Sequence, residues 1–225
     1  MRSFVWSVSL VLAFVALPGL SPAGEAGKPI QLFNGKDLSG WSHFLVEPDV
    51  GMKDVWSVQD GVLVCKGEPL GYLHTTGEYT SFELVVEWRW APGAEPGNSG
   101  VLMRINGEAR AIPRSYEAQL QSGNAGDVYG FWGMKLSGEV SRKRQATGHE
   151  ALGDMVGFGK VEGNENPPGE WNRYEIRLAG PDIVVQVNGK TVNQATGAEV
   201  LAGPIGLQSE GGEIHFRKVE LTPID

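Results

Sequence analysis

Phe82-Glu-Leu-Val-Val-Glu-Trp-Arg-Trp90 alternates polar and apolar residues along its length and carries two tryptophans and two β-branched valines. That period of two reads as a β-strand. Glu83, Val85, Glu87 and Arg89 share one face, and Leu84, Val86, Trp88 and Trp90 share the other. Two more alternating runs follow. Val101-Leu-Met-Arg-Ile105 sets Leu102 and Arg104 against Val101, Met103 and Ile105. Ser115-Tyr-Glu-Ala-Gln-Leu-Gln121 sets Glu117, Gln119 and Gln121 against Tyr116, Ala118 and Leu120. Read as antiparallel neighbours, the three strands bring Glu87, Arg89, Arg104, Glu117 and Gln119 onto one face and bury Val86, Trp88, Met103 and Leu120 on the other.

Outward from this stretch the pattern stays β. Val55-Trp-Ser-Val58 and Val62-Leu-Val-Cys65 flank Asp60-Gly61, a hairpin turn signal, and Asn188-Gly189 joins Ile183–Val187 to Lys190–Asn193 in the same way. Gly71–Thr75, Trp171–Leu178, Pro204–Gln208 and Ile214–Leu221 read as further strands. Ser122 to Gly169 is glycine-rich with little alternation and is expected to be an irregular, functional connection. Its basic cluster Arg142-Lys-Arg144 reads as solvated loop. The 32 glycines and 13 prolines suit an all-β chain full of turns. No sustained helical period, repeat or linker appears. The expectation is all-β: one antiparallel β-sandwich or jelly roll of ten or more strands over residues 27–225.

Residues 1–26 read differently. Arg2 precedes an apolar run from Phe4 to Leu17, then Pro18, Gly19 and small residues. This is the pattern of a secretory signal peptide, too short to span a membrane comfortably. The expected location is periplasmic or extracellular, with no membrane attachment of the mature chain. Net charge is −8, which argues against nucleic acid as a partner. Cys65 is the only cysteine, so it forms no internal disulfide and reads as a small buried hydrophobe. His149-Glu150 lacks the second histidine of a zinc-protease helix, Gly97-Asn-Ser-Gly-Val101 misses the final glycine of a nucleophile elbow, and the four histidines are scattered.

Phe33-Asn-Gly-Lys-Asp-Leu-Ser-Gly-Trp41, Glu87-Trp-Arg89, Asn98-Ser-Gly-Val101, Arg104, Tyr116-Glu-Ala-Gln119, Gly169-Glu-Trp-Asn172, Gly206-Leu-Gln208 and Phe216-Arg217 occur in this order. Together they resemble the 3-keto-disaccharide hydrolase domain family, from about Ile30 to Leu221. Gly123-Asn-Ala-Gly-Asp-Val-Tyr-Gly130 departs from the Thr-Gly-Ala-x-Tyr segment of many members. The resemblance implies a concanavalin A-like sandwich and a carbohydrate ligand or substrate.

A 3-keto sugar has an acidified C2 proton. A carboxylate can remove it while the aglycone leaves C1, and water then adds back. This needs a base, a partner for the enolate oxygen and a proton source. Glu117 and Glu87 are the candidate bases, and Arg104 and Arg89 the candidate enolate or sugar-oxygen partners. Asn98, Gln119 and Gln208 can read hydroxyls. Trp132, in the long loop, can stack on a sugar ring, and His74 can donate a proton. No cofactor is required by the spacing, although a divalent metal could replace a side chain as enolate stabiliser. Two other readings compete. Glu87 and Glu117 could flank a bond as an ordinary glycosidase pair, or the charges could be an ion-pair ladder across a solvated sheet. On the same sandwich, a non-catalytic carbohydrate-binding module is the alternative to an enzyme. Trp56, Trp88, Trp90 and Trp171 are expected in the core.

Overall fold

The computed structural model describes residues 27–224. The expected signal peptide, residues 1–26, lies outside the described residues. The strands are β1 (Ile30–Gln31), β2 (Trp41–Leu45), β3 (Trp56–Gln59), β4 (Val62–Cys65), β5 (Gly71–Thr75), β6 (Phe82–Trp90), β7 (Gly100–Asn106) and β8 (Arg114–Gln119). They continue as β9 (Val128–Gly130), β10 (Lys143–His149), β11 (Gly153–Phe158), β12 (Asn172–Ala179), β13 (Asp182–Val187), β14 (Lys190–Ala195), β15 (Gly206–Ser209) and β16 (Ile214–Pro223). One helical turn, Met52–Val55, precedes β3.

These form two antiparallel eight-stranded sheets. The first runs β14-β13-β12-β6-β16-β4-β3, with β1 on β16; the second runs β10-β11-β9-β8-β7-β15-β5-β2. The expected hairpins are present: Asp60 and Gly61 both have positive φ between β3 and β4, as do Asn188 and Gly189 between β13 and β14. The inner faces meet in one core. Val86, Trp88, Met103, Leu120, Trp56 and Cys65 are all within it, and burial pushes the Cys65 thiol up to about 11.

The central strand of the sequence reading changes sheet. β7 pairs with β8 as expected, but β6 pairs with β12 and β16 in the other sheet. Ala91–Ser99 carries the chain across the edge of the sandwich. Alternation specifies which face of its own sheet a residue takes and is silent on which sheet that is. Glu87 and Glu117 therefore lie on opposite outer faces, and the five-residue cluster drawn from the sequence does not form.

Three further expectations are corrected. Residues 122–169 contain β9, β10 and β11, short strands whose glycines hide the alternation. Within them Arg142 donates to the Gly159 carbonyl and to Asn193 Oδ1, and Arg144 to Asp127, so both anchor the fold. Trp171 is half-buried on the outer face of the first sheet, with the Arg89 and Arg217 guanidiniums each 4.5 Å from its ring centroid.

Candidate active site

The outer face of the second sheet is built by the register of its central strands. Glu117 on β8 faces Leu102 on β7, which faces Gly206 on β15; Gln119 on β8 faces Gly100. Gln208 lies two residues beyond Gly206 and so shares its face. Gly100 is the only residue type that fits here. A Cβ at that position would lie 2.0 Å from Glu117 Oε1 and 2.3 Å from Gln208 Oε1. The missing side chain lets both oxygens converge above the strand.

Both oxygens are buried and have no hydrogen-bond partner, on residues 2% and 1% exposed. A proton on the Glu117 carboxyl would reconcile the two acceptors. Burial, reinforced by the nearby carboxylates of Glu210 and Asp127, raises the Glu117 carboxyl well above its ordinary range. When protonated, Glu117 can donate its hydroxyl to Gln208 Oε1.

Above them opens a cavity of about 250 Å³. Glu117, Gln119, Gln208 and Glu210 supply its polar lining, and Tyr129 and Phe131 form one wall. The Gln119 side chain is held by its amide oxygen, Oε1, which accepts the backbone N–H groups of Leu120 and Gln121 at 2.8 Å each. Its amide nitrogen is left to face a ligand. Glu210 is positioned by a backbone crossing. Asn98 N–H donates to the Gly211 carbonyl at 2.8 Å, and a Cβ at Gly97 would strike that same carbonyl oxygen at 1.9 Å. The crossing sets the Asn98 side chain beside Glu210. Burial pushes the Glu210 carboxyl up to about 7, against the opposing influence of the Asn98 amide. Two carboxyl groups thus share one cavity, both raised by burial, Glu117 well above its ordinary range and Glu210 to about 7.

The other residues singled out from the sequence are elsewhere. Glu87 accepts from Arg173 Nη1 at 3.0 Å and Arg217 Nε at 2.6 Å on the outer face of the first sheet. Burial alone would raise its carboxyl, but the two guanidiniums outweigh it and hold it below the ordinary value. Arg89, on the same face, contacts His215 and Trp171. Glu87 thus belongs to an ion-pair network with Arg173, Arg217 and, through Arg173, Glu175, with partners other than those the ladder reading named. Arg104 has φ +52° within a bulge between Met103 and Asn106, which turns its side chain out of the alternating pattern. Its guanidinium, fully buried, donates to the carbonyls of Thr80, Gly180 and Glu199 and ties three loops together.

Trp132 has φ +56° and turns its indole N–H to the Ile112 carbonyl at 2.8 Å, with Arg110 over its ring. It buttresses the cavity rim from behind. His74 shares the outer face of the second sheet, but with Tyr72 and Glu108 it lines a separate cavity of about 400 Å³. Of the expected site, Glu117, Gln119 and Gln208 are brought together and Asn98 adjoins them. Glu210 and Tyr129 were missed. Carrying the alternation of Gly206 and Gln208 two residues further names Glu210; Tyr129 lies in the Gly123–Gly130 segment, too short in alternation to read as a strand. Among the described residues no group of three or more His, Cys, Asp or Glu is placed to hold a metal ion, and no helix is long and apolar enough to cross a membrane.

The profile of the 3-keto-alpha-glucoside-1,2-lyase-like domain matches residues 28–222. No curated protein matches the chain. Two solved structures of candidate glycosyl hydrolases from Parabacteroides distasonis ATCC 8503 are similar. One is 27% identical, with TM-score 0.59 over 87% of this chain and 98% of that one. The other is 21% identical, with TM-score 0.63 over 88% and 94%. The carbohydrate-binding module CBM66 from Bacillus subtilis shares the fold at 12% identity, with TM-score 0.54 over 80% of this chain and 94% of that one. The architecture is a concanavalin A-like jelly roll, a glycosyl-hydrolase-like and carbohydrate-binding fold.

Proposed function

The chain belongs to the 3-keto-alpha-glucoside-1,2-lyase-like domain family, and on that footing we propose that it cleaves the glycosidic bond of 3-keto-disaccharides or 3-keto-glycosides by elimination and hydration. The observation that carries this reading is the pair of carboxyl groups in one cavity, Glu117 raised well above its ordinary range by burial and Glu210 raised to about 7. Environments that push two acids apart assign their roles.

Glu210, ionised, takes the C2 proton of the 3-keto sugar, and the C2–H electrons pass into the enolate at C2 and C3. The enolate collapses to re-form the C3 carbonyl and a C1–C2 double bond, and the C1–O bond breaks. The departing oxygen takes the proton of Glu117. One negative charge has moved from Glu210 to Glu117. Water then adds to C1, giving a proton to Glu117, and C2 recovers one from Glu210. Gln208 holds the Glu117 hydroxyl in place until it is needed, and the Gln119 amide nitrogen can donate to the sugar. Sequence reading made Glu117 a base; its burial makes it the acid of this scheme. The apolar run of residues 4–17 supports export, so we place the mature protein in the periplasm or outside the cell.

The test is incubation with 3-keto-lactose and 3-keto-trehalose and with their unoxidised parents, with and without chelator, in D₂O. Cleavage of the 3-keto sugars alone, with deuterium appearing at C2 of the product, is expected. Cleavage without deuterium at C2 refutes C2 deprotonation. Sugar binding with no cleavage of any substrate, even with added divalent metal, transfers the chain to the binding-module class.

A further inference from the structure

Tyr129 does not use its hydroxyl in the cavity it lines. Its Oη donates to Asp127 Oδ2 at 3.1 Å and accepts from Arg144 Nη1 at 2.5 Å. Arg144 also pairs with Asp127 at 2.7 Å, and Asp127 is 1% exposed. The remaining oxygen, Asp127 Oδ1, accepts the Lys160 backbone N–H at 2.7 Å, so this carboxylate is satisfied and immobile. The hydroxyl is clamped at the far end of the ring, and burial, with the Asp127 carboxylate beside it, pushes it up to about 12.

The ring itself lies across a gap in the neighbouring strand. Gly157 on β11 is the register partner of Tyr129, and a Cβ there would sit 2.2 Å from Tyr129 Cδ1. Phe131 stacks parallel to it, with centroids 6.1 Å apart and planes 10° from each other. A polar residue is thus held flat, its polar end turned away, with its ring on one wall of a cavity that carries Glu117, Gln208 and Glu210.

We propose that the Tyr129–Phe131 wall is the platform for the pyranose ring, and that Asp127, Arg144 and Gly157 are positioning residues that fix its plane. This rests on the carbohydrate reading above and adds to it the surface that receives the ring. The apolar C–H face of the sugar packs on Tyr129, and its hydroxyls turn to the polar lining of Gln119, Gln208 and Glu210. The wall replaces Trp132, the platform expected from the sequence, whose ring is taken by Arg110.

Binding is measured with the unoxidised disaccharides, lactose and trehalose, which separates platform from chemistry. By calorimetry, Tyr129→Ala weakens the binding of whichever sugar the wild type takes at least about tenfold, equivalent to 1.4 kcal/mol. Tyr129→Phe and Arg144→Met each weaken it by less, and the double variant by no more than the worse single one, because both release the same clamp. Arg144→Lys restores part of the loss by keeping a donor. On a 3-keto substrate Tyr129→Phe, which changes no charge, raises KM and leaves the pH dependence of kcat unchanged. Should Tyr129→Ala not fold, the wild type suffices: ring currents shift the C–H resonances of the bound sugar upfield. Equal affinity in folded Tyr129→Ala, or the absence of that shift, overturns the platform while leaving the lyase reading intact. Cleavage confined to ordinary glycosides alongside a weakened Tyr129→Ala overturns the lyase reading and keeps the platform. A wild type that binds no sugar at all overturns both.

Discussion

Glu117 Oε1 and Gln208 Oε1 converge over Gly100, each buried and each without another partner. The geometry exists because residue 100 has no side chain. Gly100→Ala puts a methyl group where the two oxygens are, and the carboxyl must swing into the cavity. A misplacement of about 1 Å at a reacting group costs about 100-fold in rate. The expected result is a folded protein, judged by circular dichroism, whose kcat/KM on a 3-keto disaccharide falls by about that factor. Unchanged kinetics would show that Glu117 need not sit against Gln208.

Glu117→Gln separates the chemistry from stability. The amide cannot supply the departing oxygen with a proton, and turnover falls at least about 100-fold, the low end for a positioned acid or base. Stability moves the other way. The folded-state pKa of Glu117 is raised above its unfolded value, so the carboxyl favours folding below the unfolded value near 4.5 and loses that advantage as pH rises. Each unit of the rise withdraws about 1.4 kcal/mol once the pH exceeds it. Thermal melts should show Glu117→Gln gaining on the wild type from pH 5 to pH 9. A wild type equally stable at both ends would mean that the carboxyl is solvated.

How far the sequence carried this picture depends on what alternation encodes. It placed Val86, Trp88, Met103 and Leu120 inward, and the Asp60-Gly61 and Asn188-Gly189 turns set their hairpins locally. It put Glu117 and Gln119 on one face and, through Gly206 and Gln208, pointed at the strand that completes the site. Sheet membership is a long-range property. The crossing that sends β6 to the first sheet depends on Gly97 packing backbone to backbone on Gly211, which no local pattern records. Arg104 was misread because a bulge breaks the period at the residue itself, and Tyr129 went unseen because its strand, Val128–Gly130, is only three residues long and too short to show alternation.

Arg104 and Glu87, both taken from the sequence as catalytic, should separate by what they disturb. Arg104→Met removes the donors to three carbonyls sealed around a buried guanidinium, at about 1–3 kcal/mol for each unpaired group. For a chain of this size the melting temperature falls by on the order of 10 °C or more. Glu87→Gln breaks two half-exposed ion pairs worth about 0–1 kcal/mol. Its kcat/KM should equal that of the wild type. Lost turnover in Glu87→Gln at unchanged stability would bring the outer face of the first sheet back into the mechanism.

Glu210 makes the sharpest prediction, because its pKa of about 7 lies within reach of ordinary assays. The base must be ionised and the acid must hold its proton. Below pH 7 Glu210 is increasingly protonated, so kcat/KM should fall about tenfold per unit as the pH drops. Above it the rate should level and then decline as Glu117, raised well beyond its ordinary range, finally ionises beside a charged Glu210. The two limbs are macroscopic properties of the coupled pair. Glu210→Gln should lose about 100- to 10,000-fold in rate and, with it, the acid limb. Glu117→Gln should leave the acid limb in place, because in the wild type Glu117 still holds its proton where Glu210 titrates, and should remove the alkaline one. Deuterium exchange at C2 of a 3-keto sugar sorts the roles independently. It should vanish in Glu210→Gln and persist in Glu117→Gln, since only the first lacks the group that removes the proton. Exchange that persists in Glu210→Gln and vanishes in Glu117→Gln would reverse the assignment and return the base to Glu117.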